Sequence, residues 1–159
     1  MNAFTSPTLP GRLAASYCGL TRWIDRLQPL LALGLRLYVA RVFLLSGLTK
    51  IRDWSVTLAL FENEYHVPVL SPPVAAALGT ATEVSMPVLL ALGLGTRFAA
   101  GVLFVFNIVA VVSYPELPDI AVKDHVLWGL MLLVLLVYGA GGISLDRWLQ
   151  SRLAGAVSR

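Results

Sequence analysis

The sequence predicts an all-α integral membrane protein, an antiparallel bundle of four spanning helices with short interfacial amphipathic helices at its ends. Three observations carry this. Hydrophobic residues make up 57% of the chain and charged residues only 13%, with a mean hydropathy of +0.77. A soluble domain needs about a quarter charged residues to solvate its surface, so lipid must cover much of this exterior. Four stretches are long and apolar enough to cross a bilayer core, which takes about 20 residues at a 1.5 Å rise each. Finally, Lys and Arg divide unevenly between the two sides that four spans would create.

The first 28 residues read as an amphipathic arm. Leu13, Tyr17, Leu20, Ile24, Leu27 and Leu31 recur every three or four residues, with Arg12, Arg22 and Arg26 off that stripe. Such a helix is expected to lie on the inner leaflet. A cleaved signal peptide is not expected, because the first long apolar run begins only at Pro29. Cys18 stands alone, without a disulfide partner or a C-x-x-C motif. A four-span domain fills residues 29–142, with spans over Pro29–Thr49, Pro73–Leu94, Arg97–Tyr114 and Ile120–Ala140. Pro29 and Pro73 suit the first turn of a helix, which needs no backbone donor there. Only Gly95-Thr96 separates the second span from the third, so these form a tight hairpin. In the first outer loop, Trp54, Leu58, Phe61 and Tyr65 repeat a helical spacing after a cap at Asp53. Residues 143–159 read as an interfacial tail, with Ser144 capping a last helix that carries Trp148.

Orientation follows from the Lys/Arg bias. Arg12, Arg22, Arg26, Arg97, Arg147, Arg152 and Arg159 fall on the side of the termini, against Lys50, Arg52 and Lys123 opposite. Both termini are therefore expected in the cytoplasm. A net charge of +3, without a basic stripe, excludes a nucleic-acid partner.

Ionisable residues inside a span are costly, so each is a functional candidate. Arg41, Glu83 and Asn107 fall in the first, second and third spans. Counted from the outer ends of those spans at ~1.5 Å per residue, they lie about 14, 15 and 11 Å down. Arg41 and Glu83 are expected to pair, with Asn107 completing a membrane-buried polar network. This network either fixes helix packing or lines a pocket for a ligand or proton. Arg36, a turn and a half deeper, is expected to snorkel to the inner headgroups. A second cluster gathers Lys50, His66, His125 and Trp128 at the outer mouth. Lys50 and His125 could hold a ligand head group there, or could simply anchor helix ends. No fixed spacing of metal ligands occurs, so no metal is expected.

Several motifs in order resemble the DoxX family of small bacterial four-helix membrane proteins. They are Arg36-Leu37 leading into Ser46-Gly47-Leu48-Thr49-Lys50, the buried Glu83, Leu92-Gly93-Leu94-Gly95-Thr96-Arg97-Phe98-Ala99-Ala100, and the ending Tyr138-Gly139-Ala140-Gly141-Gly142-Ile143-Ser144-Leu145-Asp146. The resemblance spans roughly 33–148 and implies the bacterial inner membrane. It also implies association with quinone-linked sulfur oxidation, as a membrane subunit of a thiosulfate:quinone oxidoreductase, or with oxidative- or metal-stress proteins. It carries over no catalytic residue.

Three functional classes follow. The first is a redox-associated subunit that binds quinone or anchors oxidoreductase partners; the second is a non-catalytic accessory or assembly protein; the third is a small-solute carrier. The sequence holds no flavin or nucleotide motif, no iron–sulfur cysteines and no haem pair. Redox chemistry would thus come from a partner or a diffusible quinone rather than a covalent cofactor. Carriers show inverted repeats and broken helices around a midplane site, and these are not evident. Membrane lipid, protein partners and a homo-oligomer complete the expected associations.

Overall fold

The computed structural model describes the backbone of residues 9–157 and the side chains of residues 16–153. Its elements are α1 (Leu9–Arg52), α2 (Trp54–Asn63), α3 (Pro72–Leu92), α4 (Thr96–Ser113), α5 (Asp119–Tyr138) and α6 (Leu145–Val157). No strand occurs among the described residues. Four helices are long and apolar enough to cross a membrane: Ser16–Arg52 within α1, then α3, α4 and α5. Spans two to four thus lie within two residues or so of their expected bounds.

The first span differs. The arm and the span form one helix of 44 residues, and Pro29 lies inside it rather than at its start. At ~1.5 Å per residue, α1 is about 66 Å long, roughly twice the hydrocarbon thickness. Proline lacks an N–H, so the Asp25 carbonyl loses its helical donor, but the flanking turns continue the helix. Tyr17, Leu20, Ile24, Leu27 and Leu31 all remain exposed along this extension.

The spanning helices pack in a ring. α1 lies against α3, α3 against α4, α4 against α5, and α5 closes on α1, while α2 rests on α3 and α1. The ring encloses a core of Val39, Ala40, Phe43, Leu90, Ala99, Ala100, Leu103, Leu132 and Leu135. Leu37, Leu45, Leu48, Phe98, Val105, Val112, Leu130 and Val137 face outward and stay exposed. An apolar exterior over a small, tightly packed interior is what lipid solvation demands, and it supports contact with membrane lipid.

At the end bearing the termini, polar contacts tie the loops together. Gly93 caps α3 in the left-handed region, at φ 69°, where a side chain would be strained. The Asp146 backbone N–H donates to the Gly93 carbonyl at 2.9 Å. The Asp146 carboxylate accepts from the Gly95 N–H at 2.8 Å and the Thr96 N–H at 3.1 Å, capping α4 from a distance in sequence. Arg36 does not snorkel. It is only 1% exposed, and its guanidinium donates to the Ile143 carbonyl. The loop after α5 draws this arginine inward instead of leaving it for the headgroups. Ser144 caps α6 as expected, accepting from the Arg147 N–H at 3.3 Å.

Candidate functional site

The site lies at the opposite end of the ring, beneath α2. Asp53 stops α1 and starts α2, its carboxylate accepting from the Val56 N–H at 3.1 Å. That hydrogen bond holds the Asp53 carboxyl below the usual carboxylate range. Thr57 fastens the corner by donating to the Lys50 carbonyl at 2.9 Å. After α2, the His66 N–H donates to the Ser113 carbonyl at 2.7 Å, latching the following loop to the end of α4. Phe61, Ala75 and Ala76 form a small second core under this cover.

Between the cover and the bundle lies a cavity of about 320 Å³. Most of its wall is apolar, from Phe61, Val67, Leu70, Leu78, Phe106 and Val109. The polar groups converging on it are Ser46, Lys50, Tyr65, Thr82, Glu83, Ser113, Tyr114 and His125. A mostly apolar hollow with a few convergent polar groups is the general form of a small-molecule site. Tyr65 packs edge-on against Phe61 and Tyr114, with ring centroids 5.0 and 5.2 Å away. Burial pushes the Tyr65 phenol up from its ordinary value, so its hydroxyl stays protonated.

At the floor, Lys50 pairs with Glu83. The ammonium lies 2.7 Å from Oε2 and 3.0 Å from Oε1, with the aligned hydrogen bond to Oε1. Ser46 bridges them: its hydroxyl donates to Oε1 at 3.0 Å and accepts from Lys50 at 3.0 Å. Gly47 makes this possible. A Cβ there would meet Glu83 Cβ and Val84 Cγ2 at 2.9 Å and the Glu83 backbone at 3.1 Å. Helix α1 therefore touches α3 at this level, and Ser46 and Lys50 flank the contact. Pro87, four residues after Glu83 inside α3, removes the helical donor to the Glu83 carbonyl.

This geometry corrects the expected Arg41–Glu83 pair. Arg41 is exposed on the outside of the bundle, and Lys50 is Glu83's partner. Depth counted from the span ends misled, because the register of α1 on α3 is set where Gly47 meets Glu83. Arg41 lies six residues below that contact and, at ~100° per residue, about 120° away around the helix. The inward stripe of α1 is Arg36, Val39, Ala40, Phe43, Gly47 and Lys50, a three-and-four spacing that the sequence already displayed.

Asn107 is buried, as expected, but joins His125 rather than Glu83. Its amide Nδ2 donates to the His125 carbonyl at 2.9 Å, and its Oδ1 meets His125 Nδ1 at 2.8 Å. The predicted network is thus two separate units, Ser46–Lys50–Glu83 and Asn107–His125. Of the expected outer-mouth cluster, Lys50 and His125 line the same cavity. Trp128 stands behind His125, with ring centroids 4.8 Å apart, and also packs on Phe43 at 6.0 Å. His66 is exposed, and its ring meets only the Glu64 carbonyl, at 3.1 Å. As site residues, Tyr65, Tyr114, Ser46 and Ser113 escaped the sequence reading. For Ser46 the signal was its place four residues before Lys50; the others depend on how the α2–α3 loop folds over α4. No group of three or more His, Cys, Asp or Glu side chains gathers among the described residues.

Fold and site together define a small multi-pass helical membrane protein with a ligand-sized cavity at one end. A family model, DoxX, matches residues 31–115, just over half of the chain. The chain belongs to the DoxX family. The match runs through α1 to α4 and contains Lys50, Glu83 and Asn107, whereas His125 and Trp128 lie beyond it. No curated protein and no solved structure matches the chain.

Proposed function

We propose that this protein binds a quinone in the cavity beneath α2 and serves as a membrane subunit, or membrane anchor, of an oxidoreductase assembly. One observation carries the reading: Lys50, Glu83 and His125, from three different helices, line a single apolar and aromatic cavity of about 320 Å³. That volume suits a substituted quinone ring, and the aromatic wall of Phe61, Tyr65 and Tyr114 suits its faces. The Ser113 hydroxyl, buried without a partner among the described residues, and the Tyr65 hydroxyl line the cavity and can donate to the quinone oxygens. The anchoring role draws on α1, whose first 20 residues or so extend past the length a bilayer core requires.

The test is purification in mild detergent, with mass spectrometry of extracted lipids and thermal melts with and without added short-chain quinone. Retained quinone, or a rise in melting temperature on adding it, is expected. Gly79 lines the cavity, and a Cβ there would meet Phe106 and Phe61 only at 3.6 Å. Gly79→Leu should therefore fill the space and remove the rise while the protein stays folded. A wild type that neither retains quinone or hydroquinone nor responds to either sinks the reading and leaves the accessory role.

A further inference from the structure

Asn107 decides which ring nitrogen of His125, a residue lining the cavity, is left free for a ligand. A carboxamide has one accepting and one donating end. The donating end is committed, because Nδ2 faces the His125 backbone carbonyl at 2.9 Å and a carbonyl can only accept. Oδ1 is therefore the atom facing His125 Nδ1 at 2.8 Å. Two acceptors at that distance would repel, so Nδ1 must carry the proton. In the neutral ring, the ordinary form at and above neutral pH, Nε2 then bears a lone pair. It is the only ring nitrogen left for a ligand.

The other strong polar groups do not offset this. The Lys50 ammonium donates to Ser46 Oγ and Glu83 Oε1 and lies 2.7 Å from Glu83 Oε2, so its charge is held on Glu83. Glu83, the only carboxylate among the described residues lining the cavity, can only accept. The serine, threonine and tyrosine hydroxyls of the cavity can donate or accept and so favour neither form, whereas its carboxylate and imidazole present acceptors and serve a ligand that donates.

We infer that the cavity selects the hydroxyl-bearing, hydroquinone form of its ligand over the quinone, with a phenolic O–H donating to His125 Nε2 and Asn107 acting as the positioning residue that fixes the tautomer. The inference rests on the quinone-site reading above and gives it a direction. A quinone carries only acceptor oxygens, so its carbonyl would oppose the Nε2 lone pair. A hydroquinone supplies the missing proton at each end.

Two measurements test it, both on the intact protein in detergent at pH 8. The first uses His66→Gln, which leaves His125 as the only imidazole, labelled with 15N. Nitrogen NMR should show a protonated Nδ1 and an unprotonated Nε2. A proton on Nε2 overturns the inference whatever binds. The second compares anaerobic binding of tetramethyl-1,4-hydroquinone, its quinone and its dimethyl ether. The hydroquinone should bind about tenfold more tightly than either, as expected for a site whose buried polar group is left unpaired by the analogue. His125→Phe should reduce that preference to within about twofold. Equal or tighter binding of quinone or ether overturns this inference and leaves the site reading intact. Persistence of the preference in His125→Phe assigns the selection to another group and also overturns it. Binding of none of the three removes both this inference and the reading beneath it.

Discussion

Breaking the Lys50–Glu83 pair should cost more stability than any other single polar change in the bundle. At 2.7 Å and an effective dielectric constant near 20, the bare attraction is about 6 kcal/mol. Desolvation offsets much of that, yet removing one partner strands the other, at a cost of about 3–5 kcal/mol. The Glu83 side chain is 6% exposed and that of Lys50 17%, so neither can recover full hydration. For a chain of this size the loss translates into a fall of roughly 6–20 °C in melting temperature. Glu83→Gln and Lys50→Met should each show it in detergent. The combined variant should recover about 2 kcal/mol or more relative to the sum of the single losses. Arg41→Met is the control: its side chain faces outward, so the melt should shift by less than about 0.5 kcal/mol. Additive losses in the double variant refute the pairing, and a large loss from Arg41→Met refutes the register of α1 on α3.

Other expectations follow from the same contacts. Gly47→Val places a branched side chain 2.9 Å from the Glu83 and Val84 side chains; overpacking should cost about 1–3 kcal/mol, read by thermal melt. Asp146→Ala removes the two hydrogen bonds that cap α4, at a cost of about 0.5–2 kcal/mol. Faster proteolysis near Leu145 should accompany it. The Lys/Arg bias predicts that, in a Cys18→Ser background, a cysteine at Asn63 reacts with an impermeant reagent from outside the cell while one at Ser151 does not. The reverse pattern inverts the topology. Because the folded Asp53 carboxyl titrates below its ordinary value, its contribution is present above the unfolded pKa. It should fade as pH falls through the folded pKa, a loss that Asp53→Asn should reduce in acid melts.

The fold was legible because lipid imposes a simple rule: long apolar runs must be helices, and their number is countable from the sequence. The α2 helix and its Asp53 cap were legible for a local reason, since capping depends on three adjacent residues. The site was legible only in part. Lys50 and His125 were recognisable as polar groups at span ends, and Glu83 and Asn107 as polar groups within spans. Their partners were not, because pairing depends on helix register, and register is set by close approach at one glycine rather than by distance from a membrane boundary. Arg36 shows the same limit: nothing local reveals that Ile143, more than a hundred residues away, supplies its acceptor. The continuity of α1 through Pro29 was likewise hidden, since proline is equally at home at a helix start.

That continuity gives the molecule a mechanical property. Ser16 and Lys50 belong to one rod, with about 50 Å between them at 1.5 Å per residue. Gly47, jammed against α3, is the natural fulcrum close to one end. A tilt of about 5° there would carry Ser16 sideways by roughly 4 Å, given that rise per residue, while shifting Lys50 by a few tenths of an ångström. The arrangement is a reducing lever: a coarse sideways displacement of the long arm becomes a fine adjustment of the ammonium beside Glu83. Pro29, the weakest joint along the shaft, sets how faithfully the motion is passed on.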